Sequence, residues 1–358
     1  MKKFLVVCLA LMFISSVLVA DDAKVMPARV GRLYIAPIFG SADTKYDQDG
    51  NKTEFDKISF FNLGFALEYG VIDWITAAIQ WTPGVTLSSD ILGALPEQFT
   101  APTSLGGMGV TTANMNDMAD LFVGAKFQIV GPKAPVISQQ FRAAVAAGVA
   151  IPLTSGPDFS EEIAAHMADL PNGGTGAVTL NKMDNHSFAA GWRAYFDILL
   201  GKKFFLNFYN ETMFYLQKRD LFKYDTGHAL VNTVGGGVDE LAGTINYQYK
   251  TTFEFEPVFE TTFGPSVGFT AGLPVNFVST PKYIYEYDSP VGEAIAGAYG
   301  IQDGFAHQTL KVTPGVQVFF YKTPLPIELK AQYAIPLYVR NGTALSNLVF
   351  QLRIYFMI

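Results

Sequence analysis

The chain has almost no cysteine. Its one thiol, Cys8, lies inside an apolar run near the start rather than at its end, where a lipid-attachment cysteine would sit. Lipidation at that position is therefore not expected, and a disulfide framework, a thiolate metal site and a cysteine nucleophile are excluded for the rest of the chain. Charge is sparse as well: only 16% of residues are Asp, Glu, Lys or Arg. The balance is acidic, −7 overall and about −9 once Lys2 and Lys3 are removed, which argues against a nucleic-acid partner. Beyond the first twenty residues no segment carries the long apolar, uncharged run that a membrane helix requires.

What is abundant is aromatic side chain, with 30 Phe and 17 Tyr in 358 residues. A chain so apolar and without membrane helices must distribute its apolar residues in alternation. The start explains the compartment. Met1-Lys2-Lys3 is basic, Phe4 to Ile14 is apolar, and Ser15 to Ala20 leads into Asp21-Asp22, the pattern of a secretory signal peptide with cleavage expected after Ala20. The alternative is a retained N-terminal anchor. The organisation expected is a signal peptide over 1–20, a short periplasmic leader over 21–31 and one β-domain over 32–358.

Period-2 patterning runs through that domain over stretches near the ~9–11 residues of a membrane-crossing strand. From Gly243 to Phe259, Ile245, Tyr247, Tyr249, Phe253 and Phe255 share one face, and Asn246, Gln248, Lys250, Thr252, Glu254 and Glu256 share the other. Comparable alternation recurs at 61–69, 121–129, 141–151, 188–198, 266–277, 310–318, 327–333 and 348–358, with less regular strands near 32–39, 74–82 and 203–216. That makes about twelve, the even number expected of a single-chain bacterial barrel. Connections alternate in length: short ones at 70–73, 131–137, 201–203, 260–263 and 322–326, long ones near 40–57, 83–118, 153–186, 217–242 and 280–306. The fold class expected is all-β, a transmembrane antiparallel up-and-down β-barrel with short periplasmic turns and long extracellular loops. A soluble β-sandwich is the competing architecture.

In such a barrel the polar parity faces the lumen. Glu68, Lys126, Arg142, Arg193, Lys250, Glu254, Lys311, Glu328, Lys330 and Arg353 are the expected lumen-lining residues, with Arg32, Asp197, Glu211 and Glu256 also inward. Mixed charge of this kind either selects solutes or pairs across strands to stiffen the wall. Three long loops carry apolar, helix-like pieces: Leu92, Leu95 and Phe99; Ile163 and Met167 behind a capping box from Asp158 to Glu161; and Tyr299. These are the candidate ligand-binding residues of a greasy vestibule, or else they pack together as a lid.

Asp47-Gln48-Asp49-Gly50-Asn51 superficially suggests a calcium loop. Lys52 occupies the place of the turn glycine and no glutamate closes the loop, so a hairpin tip is expected and no metal site. His166, His186, His228 and His307 join no nucleophile motif, so no catalytic residue, enzyme activity or cofactor is expected.

Three stretches resemble the outer-membrane family associated with meta-pathway phenol degradation and, more distantly, the long-chain fatty-acid transporters. They are Leu67-Glu68-Tyr69-Gly70-Val71-Ile72-Asp73-Trp74-Ile75-Thr76, Asp120-Leu121-Phe122-Val123-Gly124-Ala125-Lys126-Phe127 and Gly148-Val149-Ala150-Ile151-Pro152-Leu153-Thr154-Ser155-Gly156, under a tenth of the chain together. The resemblance implies uptake of hydrophobic compounds, by loop capture and then passage along the barrel or sideways through its wall. Met26-Pro27-Ala28 partly matches an Asn-Pro-Ala element of the fatty-acid transporters' N-terminal plug. The asparagine is absent, the leader is only about eleven residues long, and twelve strands are expected rather than fourteen, so no full hatch is expected. The function expected is an outer-membrane transporter or channel for small hydrophobic molecules such as fatty acids or aromatic hydrocarbons. A general diffusion porin and a surface adhesion protein remain open. Its partners would be outer-membrane lipid, the substrate and the barrel-assembly machinery.

Overall fold

Alternation along the sequence becomes two faces of one sheet. In the computed structural model, which describes residues 22–47, 49–81, 84–86, 110–113, 120–153, 178–180, 188–216, 218–219, 243–246, 249–280, 284–287, 290 and 306–357, these strands form a closed twelve-stranded antiparallel β-barrel. The strands are β1 (Val30–Tyr46), β2 (Lys52–Ile72), β3 (Ile75–Trp81), β4 (Asp120–Gly131), β5 (Phe141–Pro152) and β6 (Ala189–Leu199). They continue with β7 (Phe204–Tyr215), β8 (Tyr249–Phe263), β9 in two pieces (Val267–Gly272 and Val275–Thr280) and β10 in two pieces (His307–Val312 and Gly315–Phe320). β11 (Ile327–Arg340) and β12 (Ser346–Met357) complete the sheet. β12 pairs back onto β1 from Val30↔Met357 to Ser41↔Ser346, so no edge is left open to lipid.

On β8, Phe253 is 53% exposed while its neighbour Thr252 is 1% exposed, a contrast that fixes which face meets lipid. Outward aromatics touch across strands, with Phe141, Phe196, Phe208 and Phe255 forming a chain of ring contacts at 5.9, 6.5 and 5.2 Å around β5 to β8. Large apolar residues on the outside and carboxylates buried inside invert the order of a soluble domain. Such a surface fits only an apolar solvent, which disposes of the soluble sandwich.

The expected long loop at 40–57 is instead strand almost throughout. β1 runs to Tyr46 and β2 starts at Lys52, and the Asp47 carboxylate accepts the Asn51 amide at 2.7 Å and the Asp49 amide at 2.9 Å to close the hairpin. Gly50 takes φ +86°, which favours glycine. Alternation of apolar and polar residues fades there because small and polar side chains fill both parities, although Ala42 and Thr44 are buried on one of them. Gly243–Asn246, read in sequence as part of one long strand ending at Phe259, leaves the barrel and pairs with Lys218–Arg219 and Ile284–Tyr287 in a small separate sheet.

β9 and β10 break at the same level. Pro274 and Pro314 cannot donate to the ladder, but the register carries through: Leu273 donates to the Pro257 carbonyl, Thr313 to the Pro274 carbonyl and Tyr333 to the Pro314 carbonyl.

Candidate functional site

The barrel encloses a cavity of about 1230 Å³. Of the residues expected to line the lumen, Glu68, Lys126, Arg193, Lys250, Glu328, Lys330 and Arg353 border this cavity. Arg142 and Glu254 are buried on the inner side of the wall, and Lys311 on β10 pairs in register with Asn276 of β9. The loop residues Leu92, Leu95, Phe99, Ile163, Met167 and Tyr299 lie outside the described residues, as does the segment 1–20.

Two clusters organise the lumen. On β11, β12, β1 and β2, Arg32 donates through Nε to Glu68 at 2.9 Å, and Tyr34 adds its hydroxyl to the same carboxylate at 3.2 Å. Arg353 pairs with Glu328, and its guanidinium lies 4.8 Å from the Tyr34 ring. The opposite cluster spans β3 to β7. Arg142 pairs with Asp197 at 2.6 Å, Asn207 donates to the same carboxylate at 2.9 Å, and Arg193 is held by Glu211 and Gln80. Lys126 sits 3.9 Å from the Tyr195 ring, and Arg193 lies 4.4 Å from Phe122. Phe122 can lie against the wall because Gly148 beneath it has no side chain; a Cβ there would come within 2.3 Å of the ring. Sequence parity found the charges and set Phe122 on the inward face with Lys126, but it did not find Tyr34 or Tyr195, because inward aromatics break the simple rule of apolar outside and polar inside.

The leader crosses the periplasmic end of this lumen. Ala23 donates its amide to both Asp197 oxygens at 3.2 Å, and its carbonyl accepts from Gln128 at 2.8 Å. Lys126 donates to the Asp22 carbonyl, while Lys24 reaches Glu260 on β8 at 2.8 Å. Met26 donates to Thr76 at 2.8 Å and Ala28 to Asp73 at 3.1 Å. Gly70 makes room, since a Cβ there would stand 1.9 Å from the Pro27 carbonyl oxygen. The short run 22–29 reaches from β8 to β3 because a twelve-stranded barrel is narrow enough for such a segment to cross it. The only sequence signal for this was Met26-Pro27-Ala28.

Burial alone would raise the Asp22 carboxyl, but Lys24, Arg142 and Lys126 outweigh it and hold it below the usual carboxylate range. The Asp73 carboxyl, in the turn outside the membrane, is lowered chiefly by the Ala28 backbone N–H.

No protein-family model and no curated protein matches the chain. Among solved structures, the COG4313 outer membrane channel from Pseudomonas putida F1 superposes with a TM-score of 0.56 at 12% identity, covering 95% of this chain and 100% of that one. At that identity the likeness is one of fold. The NanC porin (TM-score 0.39, 8% identity, 90% of this chain and 100% of that one) and the TodX deltaS2S3 mutant monoaromatic hydrocarbon channel (TM-score 0.37, 9%, 93% and 91%) fall below the level at which a shared fold is established.

Proposed function

We propose that this barrel is an outer-membrane channel for the uptake of small hydrophobic molecules, fatty acids or aromatic hydrocarbons among them. One observation carries the proposal: a large cavity bordered by aromatic rings, Met26, Pro27, Ile38 and Met213 is crossed at its periplasmic end by a docked leader. An open diffusion pore has no use for such a crossing, whereas a transporter that holds an apolar solute away from free exchange with water does. The solute leaves either by displacing the leader or sideways at the level of Pro274 and Pro314, which contribute no donor to the ladder. Apolar loop segments around Leu92, Phe99, Ile163 and Tyr299 would supply the capture site above. Outer-membrane lipid contacts the aromatic exterior, and the Phe350-to-Phe356 strand end is the natural element for the barrel-assembly machinery to receive.

The arginine–carboxylate pairs along the lumen favour a second reading, a diffusion pore for polar solutes. Liposome swelling separates the two. The parent protein should not swell liposomes in arabinose yet should bind naphthalene saturably, and removal of residues 22–29 should open it to the sugar. Rapid swelling by the parent, with no naphthalene binding, would favour the pore instead.

A further inference from the structure

The barrel holds its leader chiefly by the main chain. Asp197 accepts the Ala23 amide, Gln128 donates to the Ala23 carbonyl, and Lys126 donates to the Asp22 carbonyl. Thr76 accepts the Met26 amide and Asp73 that of Ala28. Five side chains of the barrel therefore recognise backbone groups that any non-proline residue carries, and none of these bonds depends on the side chains at 25 to 28. Among the described residues, the leader side chain that hydrogen-bonds to the barrel is Lys24, which reaches Glu260 on β8 at 2.8 Å.

One position is read by size as well. Ala23 is 0% exposed and packs against Ala144, Tyr195 and Tyr209, with Ala146 beside them. Both rings are held in place. They meet at 5.1 Å, the Tyr209 hydroxyl donates to Glu211 at 3.0 Å, and the Lys126 ammonium lies over the Tyr195 ring. Asp197, which grips the Ala23 amide, is itself fixed by Arg142 and Asn207. A pocket walled in this way admits a hydrogen or a methyl group; a longer side chain must shift a ring or pull its own amide off Asp197. Main-chain hydrogen bonds for affinity, with a side-chain pocket for selection, are the means by which a protein binds an extended peptide.

We propose that this stretch of the lumen is a peptide-binding site in its own right, with the leader as its tethered occupant. It takes short extended peptides that carry glycine or alanine at the place of Ala23 and a cation at the next residue, where Glu260 receives it. The site adds a ligand class to the apolar solutes of the uptake reading and does not depend on them. The tether at Val30 gives the leader an effective concentration of roughly millimolar. A free peptide therefore enters when the leader's own hold is weakened.

The probe is the peptide of residues 21–29, Asp-Asp-Ala-Lys-Val-Met-Pro-Ala-Arg, acetylated at its start and labelled with fluorescein at its end. Anisotropy reads its binding to the full-length protein in non-ionic detergent. Ala23→Leu alters the leader and leaves every residue of the wall in place, so it should expel the leader and bind the peptide at least about tenfold more tightly than the parent, whose site is filled. The same peptide with leucine as its third residue should show no such gain. No gain in Ala23→Leu, or an equal gain with both peptides, overturns the site. Bilayer conductance of Ala23→Leu keeps this result distinct from the leader's part in closing the lumen: a peptide that binds without lowering conductance supports the site and removes that closure. Naphthalene binding by the parent remains a separate readout of apolar uptake. Should Ala23→Leu lack the heat-modifiable gel shift, Lys24→Glu decides instead, since it sets a carboxylate against Glu260 from the leader side alone; peptide binding above the parent's supports the site, and binding no better than the parent's overturns it.

Discussion

Strands β4 to β7 and strands β8 to β11 belong to one closed sheet, yet they are built on different terms. The first wall runs from Asp120↔Pro152 through to Leu199↔Phe205 with a bulge between Gln128 and Val130, and its buried charges meet one another and the leader. The second carries Pro274 and Pro314 at one level of its ladder, has glycines at 272 and 315 facing one another, and leaves oxygens of Glu254 and Gln332 buried without partners, as the first leaves Arg142 Nη2 and Asn207 Oδ1. A barrel is closed for hydrogen bonding as a whole, but the polar groups inside it are satisfied locally. The first wall therefore serves as the main dock of the leader.

Removing a charge should expose this difference most strongly. Asp197 is fully buried and receives Arg142, Asn207 and the Ala23 amide. Asp197→Ala should cost about 3–5 kcal/mol, because it leaves a buried guanidinium without its partner. Glu254→Gln on the other wall should be neutral or stabilising, since one of its oxygens already lacks a partner. Urea unfolding in detergent reads both, and equal losses would erase the distinction.

On the lipid side the two walls should not differ. Trp192→Arg and Phe253→Arg should each cost about 2–4 kcal/mol if they lie near the midplane, because an exposed cation meets hydrocarbon at either place. Folding titrations into lipid vesicles would show this, and a cost confined to one wall would mean that the register of the other is misplaced.

A gentler change loosens the dock without touching charge. Gly70→Ala sets a methyl against the Pro27 carbonyl, so the leader must shift. Single-channel conductance should rise severalfold while the gel shift persists; unchanged conductance would show that the leader does not limit passage.

The smallest effect concerns pH. The Asp73 carboxyl is lowered in the folded protein, so its hold on Ala28 is present above the ordinary carboxylate value near 4 and is lost as pH falls through the lower folded value. Conductance should increase slightly over that acid range, and Asp73→Asn, which cannot titrate, should remove that step. A step of equal size in both proteins would assign it to another group.

Much of the architecture was legible in the sequence because a membrane strand must repeat with period 2 to face lipid and lumen in turn. Phe253 against Thr252 and Leu329 against Glu328 are written in order along the chain. The inward charges of Glu68, Lys126 and Arg353 followed from the same parity. The hairpin from Ser41 to Ser59 was not legible as strand, since its buried positions Ala42 and Thr44 are small or polar and leave no apolar parity to read. The sequence by itself thus determined which residues face in and which face out, because the solvent on each side imposes its own chemistry. Only the tertiary structure decided which inward residues meet. Ala23 lies 174 positions from Asp197, and whether a given lysine finds a carboxylate, as Lys24 finds Glu260, depends on the stagger of strands around a closed sheet.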